Sequence, residues 1–355
     1  MSAEAAEERP GGRDTLTSPL PQAGEEQTGV SVVLTVLNEA SAIGGLLDDL
    51  LAQDTPADEV LVVDGGSIDG TPDVIRGYGE PVRLICLPGA NISQGRNRGI
   101  EDARNDVVVV TDAGVRLKPD WLRLITAPLQ CHQAEVVAGF FEPDPRSPVE
   151  AAMGATVLPA LDDVDPATFL PSSRSLAFRK NVWRQVGGYP EWLDYCEDLI
   201  FDLNLRRVAG VRVAFEPRAT VRFRPRSSLP AFFRQYYRYA RGDGKADLWR
   251  ARHTLRYAAY MHLVATAACL FFPDARRHRG AVGYLMLSSL LGGTAYLWKP
   301  LRRLMKLGGG ATAAEWAYML ALLPLIRLSG DVAKMLGYPA GWWWRLRHKP
   351  EDWRR

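Results

Sequence analysis

Two adjacent carboxylates, Glu197 and Asp198, follow the aromatic, glycine-rich run Gly187-Gly188-Tyr189-Pro190-Glu191-Trp192. Acidic residues at a helix start can simply complement the helix dipole, or one of them can serve as a general base that takes the proton of an incoming hydroxyl. Asp112 closes the apolar run 107–110 within Thr111-Asp112-Ala113-Gly114. A carboxylate there can cap a turn or hold a hard cation that bridges diphosphate oxygens. Asp64 ends another apolar run and opens Asp64-Gly65-Gly66-Ser67-Ile68-Asp69-Gly70-Thr71. The glycines permit a tight turn and a close backbone approach to a ligand. Asp64 can accept hydrogen bonds from a base or a ribose, or the segment can be an ordinary turn capped by Asp69 or Thr71. It is not a dinucleotide fingerprint, because G-x-G-x-x-G is absent. Arg96 and Arg98 flank Asn97 between the two acidic runs; arginine there suits a phosphate or carboxylate or a solvated helix face. In Gln235-Tyr236-Tyr237-Arg238-Tyr239, Gln235 and Arg238 share a helix face, as do Arg234, Arg238 and Arg241. Such a face can clamp a pyrophosphate or meet lipid headgroups.

The elements that must carry these residues follow from the hydrophobic pattern. Apolar runs at 30–36, 60–63, 82–87 and 107–110 read as strands, with helical spacing between them at Ile43, Leu46, Leu47, Leu50 and Leu51 and again over 93–103. Continuous apolar strands alternating with helices predict an α/β architecture with a mostly parallel central sheet. Ligands bind at the C-terminal ends of such strands, so Asn38, Glu39, Asp64, Ser67 and Asp112 should converge on one crevice. The segment 130–225 is mixed: 173–178 reads as extended, 197–208 as helical, and 211–215 and 220–223 as two further strands. Ser228 before Pro230 signals the start of a helix over 230–241.

Composition divides the chain. It has 355 residues and a formal net charge of +2, but residues 1–200 hold 15 Lys and Arg against 32 Asp and Glu, whereas 201–355 hold 28 against 9. The basic half is expected to face something anionic. Nucleic acid is not expected, because no recognised module accompanies the charge. The four cysteines are scattered without a C-x-x-C pair, and the five histidines show no ligand spacing, which predicts free thiols in a reducing compartment and no zinc site. Residues 1–28 read as a disordered acidic tail with no export signal. Residues 29–250 read as the α/β domain, and 251–355 as a membrane-associated helical region. Its apolar segments are 255–272, 281–298 and 312–326, the first two just long enough to span a bilayer. Basic residues lie in every connection, so a two-helix hairpin with the third segment at the interface, or a wholly monotopic arrangement, is favoured. Trp342, Trp343 and Trp344 beside Arg345 and Arg347 read as an interfacial anchor.

The order of these motifs resembles family 2 inverting glycosyltransferases of the GT-A fold, a Rossmann-like sheet domain, and in particular their membrane-associated branch. The resemblance rests on Val33-Leu34-Thr35-Val36-Leu37-Asn38-Glu39, Val62-Val63-Asp64-Gly65-Gly66-Ser67-Ile68-Asp69-Gly70-Thr71, Gly95-Arg96-Asn97-Arg98-Gly99-Ile100, Thr111-Asp112-Ala113-Gly114, Gly187-Gly188-Tyr189, Glu197-Asp198 and Gln235-Tyr236-Tyr237-Arg238-Tyr239. It implies that Asn38 and Glu39 meet the nucleotide, that Asp64 binds base or ribose, and that Asp69 orders the same loop. Asp112 matches the first Asp of D-x-D, Asp198 the catalytic base with Glu197 beside it, and Gln235 and Arg238 the Gln and Arg of a Q-x-x-R-W-like motif. Arg96 would join the nucleotide-sugar site and Arg241 the diphosphate or acceptor site. The implied partners are a nucleoside-diphosphate sugar, a lipid-linked or envelope glycan acceptor, and the cytosolic face of the membrane. Gly114 stands where the second Asp of D-x-D is usual, so a Mg²⁺ or Mn²⁺ ion would rest on Asp112 alone; Tyr239 replaces the expected Trp, which points to single addition rather than processive synthesis. The rival expectations are a membrane-anchored nucleotide-sugar binder without turnover and a nucleotidyltransferase on a similar sheet.

Overall fold

A computed structural model describes residues 28–271 and 279–354; the acidic tail expected over 1–28 lies almost wholly outside these residues. The first half of the chain runs β1 (Val30–Val36), α1 (Ile43–Leu51), β2 (Glu59–Asp64), α2 (Thr71–Arg76), β3 (Val82–Cys86), α3 (Ile92–Asp102), β4 (Val107–Asp112), β5 (Val115–Leu117), α4 (Trp121–Gln130), β6 (Val136–Pro143) and α5 (Pro148–Val157). It continues with β7 (Leu176–Arg179), α6 (Lys180–Gln185), α7 (Glu197–Leu205), β8 (Val213–Phe223), α8 (Leu229–Ala246), α9 (Arg250–Phe271), α10 (Arg279–Leu307) and α11 (Ala313–His348). The strands form one eight-stranded sheet in the order β3-β2-β1-β4-β7-β6-β8-β5. β1 pairs in parallel with β2 and β4, and β2 with β3. β7 is antiparallel to both β4 and β6, so the sheet is parallel on one side and mixed on the other. The two strands expected at 211–215 and 220–223 are one strand, β8, whose pairing with β6 is interrupted by an irregularity.

Side-chain alternation builds two cores on the parallel half. Val32 and Leu34 of β1, Val60 and Val62 of β2, and Val107 and Val109 of β4 face one cluster with Leu46, Leu50, Ile75, Trp121 and Ile125. Val33, Leu61, Val108 and Val110 face the opposite cluster with Ile100, Phe178, Phe201 and Leu205. Adjacent residues on a strand point to opposite faces, so an unbroken Val/Leu run requires helices on both. The sheet is thereby sandwiched between α1, α2 and α4 on one side and α3, α6 and α7 on the other. Strands β2 and β3 are added on one side of β1 and β4 on the other, so the order of strand addition switches at the β1–β4 junction, where Thr35 lies opposite Asp112. That junction is where a crevice opens at the strand ends.

The C-terminal region corrects the expectation of spanning helices. Among the described residues, no helix is long and apolar enough to cross a membrane. The segment 255–272 falls in α9, 281–298 in α10 and 312–326 in α11; the residues 272–278 lie outside the description. Polar groups break up each helix. Arg256 of α9 pairs with Asp331 of α11 at 2.9 Å, and His262 of α9 meets Ser288 of α10 at 3.1 Å. Arg302, Arg303 and Lys306, expected in a basic loop, are within α10 and pair with Asp162 and Asp163. Helix α11 is instead part of the folded body. Its Met319, Leu322, Leu323 and Ile326 pack with Ala152, Ala155, Phe232 and Leu304. It crosses α8 so closely that a Cβ on Gly337 would clash with the Tyr237 carbonyl oxygen, and one on Gly341 with that of Arg241. Gly337→Val is therefore expected to cost about 1–3 kcal/mol or more by overpacking, because the obstacle is backbone and cannot swing aside. Thermal unfolding with intrinsic fluorescence would show it, and wild-type stability in the variant would refute this docking of α11.

Candidate functional site

Two cavities of about 700 Å³ each meet over the strand ends. The first is lined by Thr35, Leu37, Glu39, Gly65, Asp112, Gly114, Arg226, Gln235 and Arg238. The second is lined by Glu197, Asp198, Tyr236, Tyr239, Trp249 and side chains of α9 and α11. Ile92, Asp112, Arg174 and Tyr195 belong to both, so they form the wall between the cavities.

The loops at the ends of β1 and β2 brace one another. Asn38, in the left-handed region at φ 57°, donates its backbone N–H to Ser67 Oγ at 2.8 Å, and its side-chain oxygen accepts from Ile68 N at 2.9 Å. Asp69 accepts from Ala40 N at 3.1 Å and from the Thr71 backbone N–H at 3.2 Å. Asp64 is buried, and its carboxylate accepts from the Ser67 backbone N–H and hydroxyl. Asp64 thus holds the loop and does not line either cavity. Glu39 does line the first cavity; burial raises its pKa, with Arg226 opposing.

Arg96 ties the two acidic motifs together. It is 2% exposed, so it is a core residue and not part of a solvated helix face. Its Nη1 donates to Glu197 Oε1 and its Nη2 to Asp112 Oδ1, each at 2.8 Å, and its guanidinium lies 5.2 Å from the Tyr189 ring centre. Against the cost of burial, Asp112 and Glu197 hold Arg96 protonated. Burial likewise opposes the charge of Asp112, but Arg96 and then Arg174 keep its carboxyl below the usual range.

Local structure presents the pair Glu197-Asp198. Asn97 on α3 bonds both the N–H (2.8 Å) and the C=O (2.9 Å) of Tyr189, which anchors the Gly187-Gly188 turn ahead of α7. Cys196 then takes φ 66°, a left-handed conformation rare for a side-chain-bearing residue and frequent at functional sites. Helix α7 starts at the next residue, and Asp198 Oδ1 accepts from Leu199 N at 2.9 Å. Burial raises the pKa of Asp198 while Arg96 and Arg174 oppose. Burial and then the charge of Asp198 push Glu197 up to about 7 despite Arg96. One turn on, Asp202 is buried with neither carboxyl oxygen hydrogen-bonded among the described residues; burial and then Asp198 push its pKa well up.

Helix α8 supplies the remaining wall. Gln235 accepts from Arg226 Nε at 3.0 Å and donates to Tyr239 Oη at 2.6 Å. Arg238 lies over the Tyr195 ring and lines the first cavity. Arg241 does not line either one: its guanidinium is engaged by Asp194, which also accepts from Lys245 at 2.7 Å. In this arrangement Arg241 braces α8 against the α6–α7 connection.

Sequence reading overlooked Arg174, Arg226 and Tyr195. Arg226 stands just past the end of β8, where the strand-end rule applied to the mixed half would have found it. Arg174 precedes β7, and its Nε approaches Asp112 Oδ2 at 3.6 Å; only the pairing of β7 with β4 brings it there. A divalent cation finds a poor donor set at this place. Both Asp112 oxygens face guanidinium groups, Gly114 opens onto free space and offers no ligand, and among the described residues no three His, Cys, Asp or Glu side chains cluster as a metal site.

Comparison with known proteins agrees with this architecture. Residues 31–163 match the model of glycosyl transferase family 2. The chain is 26% identical over 227 residues to the succinoglycan biosynthesis protein ExoA of Rhizobium meliloti (strain 1021), covering 60% of this chain and 68% of that one. It is 32% identical over 139 residues to validoxylamine A glucosyltransferase of Streptomyces hygroscopicus subsp. limoneus, covering 37% of this chain and 31% of that one. The mannosyltransferase PcManGT of Pyrobaculum calidifontis, solved with GDP-Man and Mn2+, shares the fold at a TM-score of 0.50 and 19% identity, over 95% of this chain and 92% of that one. Motifs at the ends of β1, β2 and β4, the matched domain and the named relatives together identify the chain as a glycosyltransferase carrying a glycosyl transferase family 2 domain.

Proposed function

We propose that the protein moves a single sugar, with inversion, from a nucleoside-diphosphate sugar to a hydroxyl of a lipid-linked or cell-envelope acceptor, at the cytosolic surface of a membrane. The observation that carries this reading is the pair of cavities sharing the Asp112–Arg174 wall, with the acidic pair Glu197-Asp198 on one side only. The donor occupies the cavity over the strand ends, with its diphosphate toward Arg174, Arg226 and Arg238. The acceptor enters the other cavity. Its hydroxyl oxygen attacks the anomeric carbon as the bond to the diphosphate breaks, and Asp198 takes the hydroxyl proton. A single displacement of this kind inverts the anomeric centre. Negative charge developing on the leaving diphosphate is stabilised by the arginines, which line the cavity before the donor arrives. No step is routed through a metal, because the donor set does not fit one.

The exposed apolar side chains of α9 and α10 support a membrane surface as the working place. Leu255, Met261 and Val264 on α9 and Leu287, Leu290 and Leu291 on α10 are exposed, and Trp298 is 63% exposed beside Lys299. Large apolar patches rimmed by cations suit an anionic lipid interface. Purified protein would be offered UDP-, GDP- and dTDP-sugars with lipid extract, and flotation with phosphatidylglycerol vesicles measured alongside. Release of a nucleoside diphosphate and formation of a glycosylated lipid or glycan support the reading. Release of inorganic pyrophosphate would replace it with nucleotidyl transfer, and donor binding without turnover in any extract would replace it with a binding protein.

A further inference from the structure

We infer that the acceptor cavity holds a phosphate subsite built by the C-terminal helices, and that Arg252, Arg256 and Lys334 select an acceptor carrying a phosphate or pyrophosphate ester. This inference rests on the reading that the cavity beside Asp198 receives the acceptor. Three cationic groups from α9 and α11 line that cavity together with the acidic pair. Their charge is not fully answered by protein. Among the described residues, Arg252 and Lys334 have no salt bridge: Arg252 lies over the Trp249 ring at 4.3 Å, and Lys334 over the Tyr236 ring at 4.9 Å. Arg256 pairs with Asp331 at 2.9 Å, but that aspartate also accepts from Tyr260 and Tyr296. The other acidic residues on this side are already engaged, Asp243 by His253 at 3.2 Å and Asp194 by Arg241 and Lys245.

Unpaired cations in a concave site are a recognition element for an anion. Of the three cations only Arg256 has a carboxylate partner among the described residues, so Arg252 and Lys334 are left to meet an anion, and arginine forks match phosphate oxygens. Burial, with Arg256 adding like charge, lowers the Lys334 ammonium to about 8; a bound phosphate would offset both effects. The subsite also lies toward α9, whose Leu255 and Met261 face outward. A phosphorylated lipid could therefore keep its chain outside while its head group enters.

Binding to the full chain in detergent would be titrated with geranylgeranyl pyrophosphate, geranylgeranyl phosphate and geranylgeraniol, and with soluble glucose 1-phosphate. The phosphorylated lipids are expected to bind at least about tenfold more tightly than the alcohol. The variant Arg252→Gln/Lys334→Gln should erase that preference and leave UDP and GDP binding unchanged, and Lys334→Arg should restore much of it. Tight binding of glucose 1-phosphate, lost in the same variant, keeps the subsite and assigns it a soluble source. Equal binding of alcohol and phosphates by wild type, or a preference that survives the double substitution, would overturn the inference. Binding of no nucleoside diphosphate would instead strike at the transferase reading, and the lipid comparison would still report on the subsite.

Discussion

Asp198→Asn is expected to lower kcat for transfer by about 10²–10⁴-fold, the span of a positioned general base, while nucleoside diphosphate affinity is retained. Asparagine keeps the shape and can still accept from Leu199 N, so the loss would isolate proton uptake from positioning. The pH profile is the companion measurement. Asp198 must be ionised to act, and burial raises its pKa. Activity should accordingly fall on the acid side from a pH above the ordinary aspartate range. Glu197, pushed up to about 7, shares this titration, because two carboxyls this close lose their protons as a pair. Glu197→Gln removes the neighbouring charge and should shift the acid limb to lower pH. An Asp198→Asn enzyme with wild-type kcat would remove Asp198 from the mechanism.

The second large effect concerns stability. Arg96→Met is expected to destabilise the fold by roughly 3–5 kcal/mol, the cost of leaving a buried charge without its partner. One guanidinium now serves both Asp112 and Glu197 at 2.8 Å. The deficit should depend on pH in a defined direction. In the wild type, Asp112 has a pKa below its unfolded value, so its contribution is present above the unfolded pKa and is lost only as pH falls through the folded one. Without Arg96, burial would raise the folded pKa above the unfolded value. The folded variant would then bind the extra proton, and its stability would fall as pH rises. Denaturant unfolding at pH 5 and pH 8 should show a smaller gap between variant and wild type at pH 5. A gap that is constant, or larger at pH 5, would contradict the bridging role assigned to Arg96.

Much of the parallel half was legible because its signals are local. The Val-rich runs give β1, β2, β3 and β4, and helices on both faces follow from strands with no polar side. Residues at or just past the ends of those strands, among them Asp112 and Glu39, meet at one end of the sheet for the same reason. The mixed half was less legible. β5 has three residues, too few for a period, and the irregularity in β8 breaks its alternation. Hydrophobicity also overstated the first two apolar segments of the C-terminal third, since among the described residues no helix is long and apolar enough to cross a membrane. Apolar residues of α11 look like those of an interfacial segment, yet many are buried against α5 and α8.

Local pattern therefore settled the strand order of chemistry along the chain: which residues end strands, and which helix opens with Glu197 and Asp198. Tertiary structure decided which of them touch. Arg96 bonds a carboxylate 16 residues away and another 101 residues away, and no local rule states that one side chain will satisfy both. Asp64 turned to its own loop, Arg241 to Asp194, and Arg174 reached Asp112 through the antiparallel pairing of β7 with β4. Buried charge is tolerated only where a partner is within hydrogen-bond reach, and those partners are fixed by packing between distant segments. The same reason applies to the second cavity, where Arg252, Arg256 and Lys334 share the lining with Asp198 only because α9 and α11 fold back onto the sheet domain.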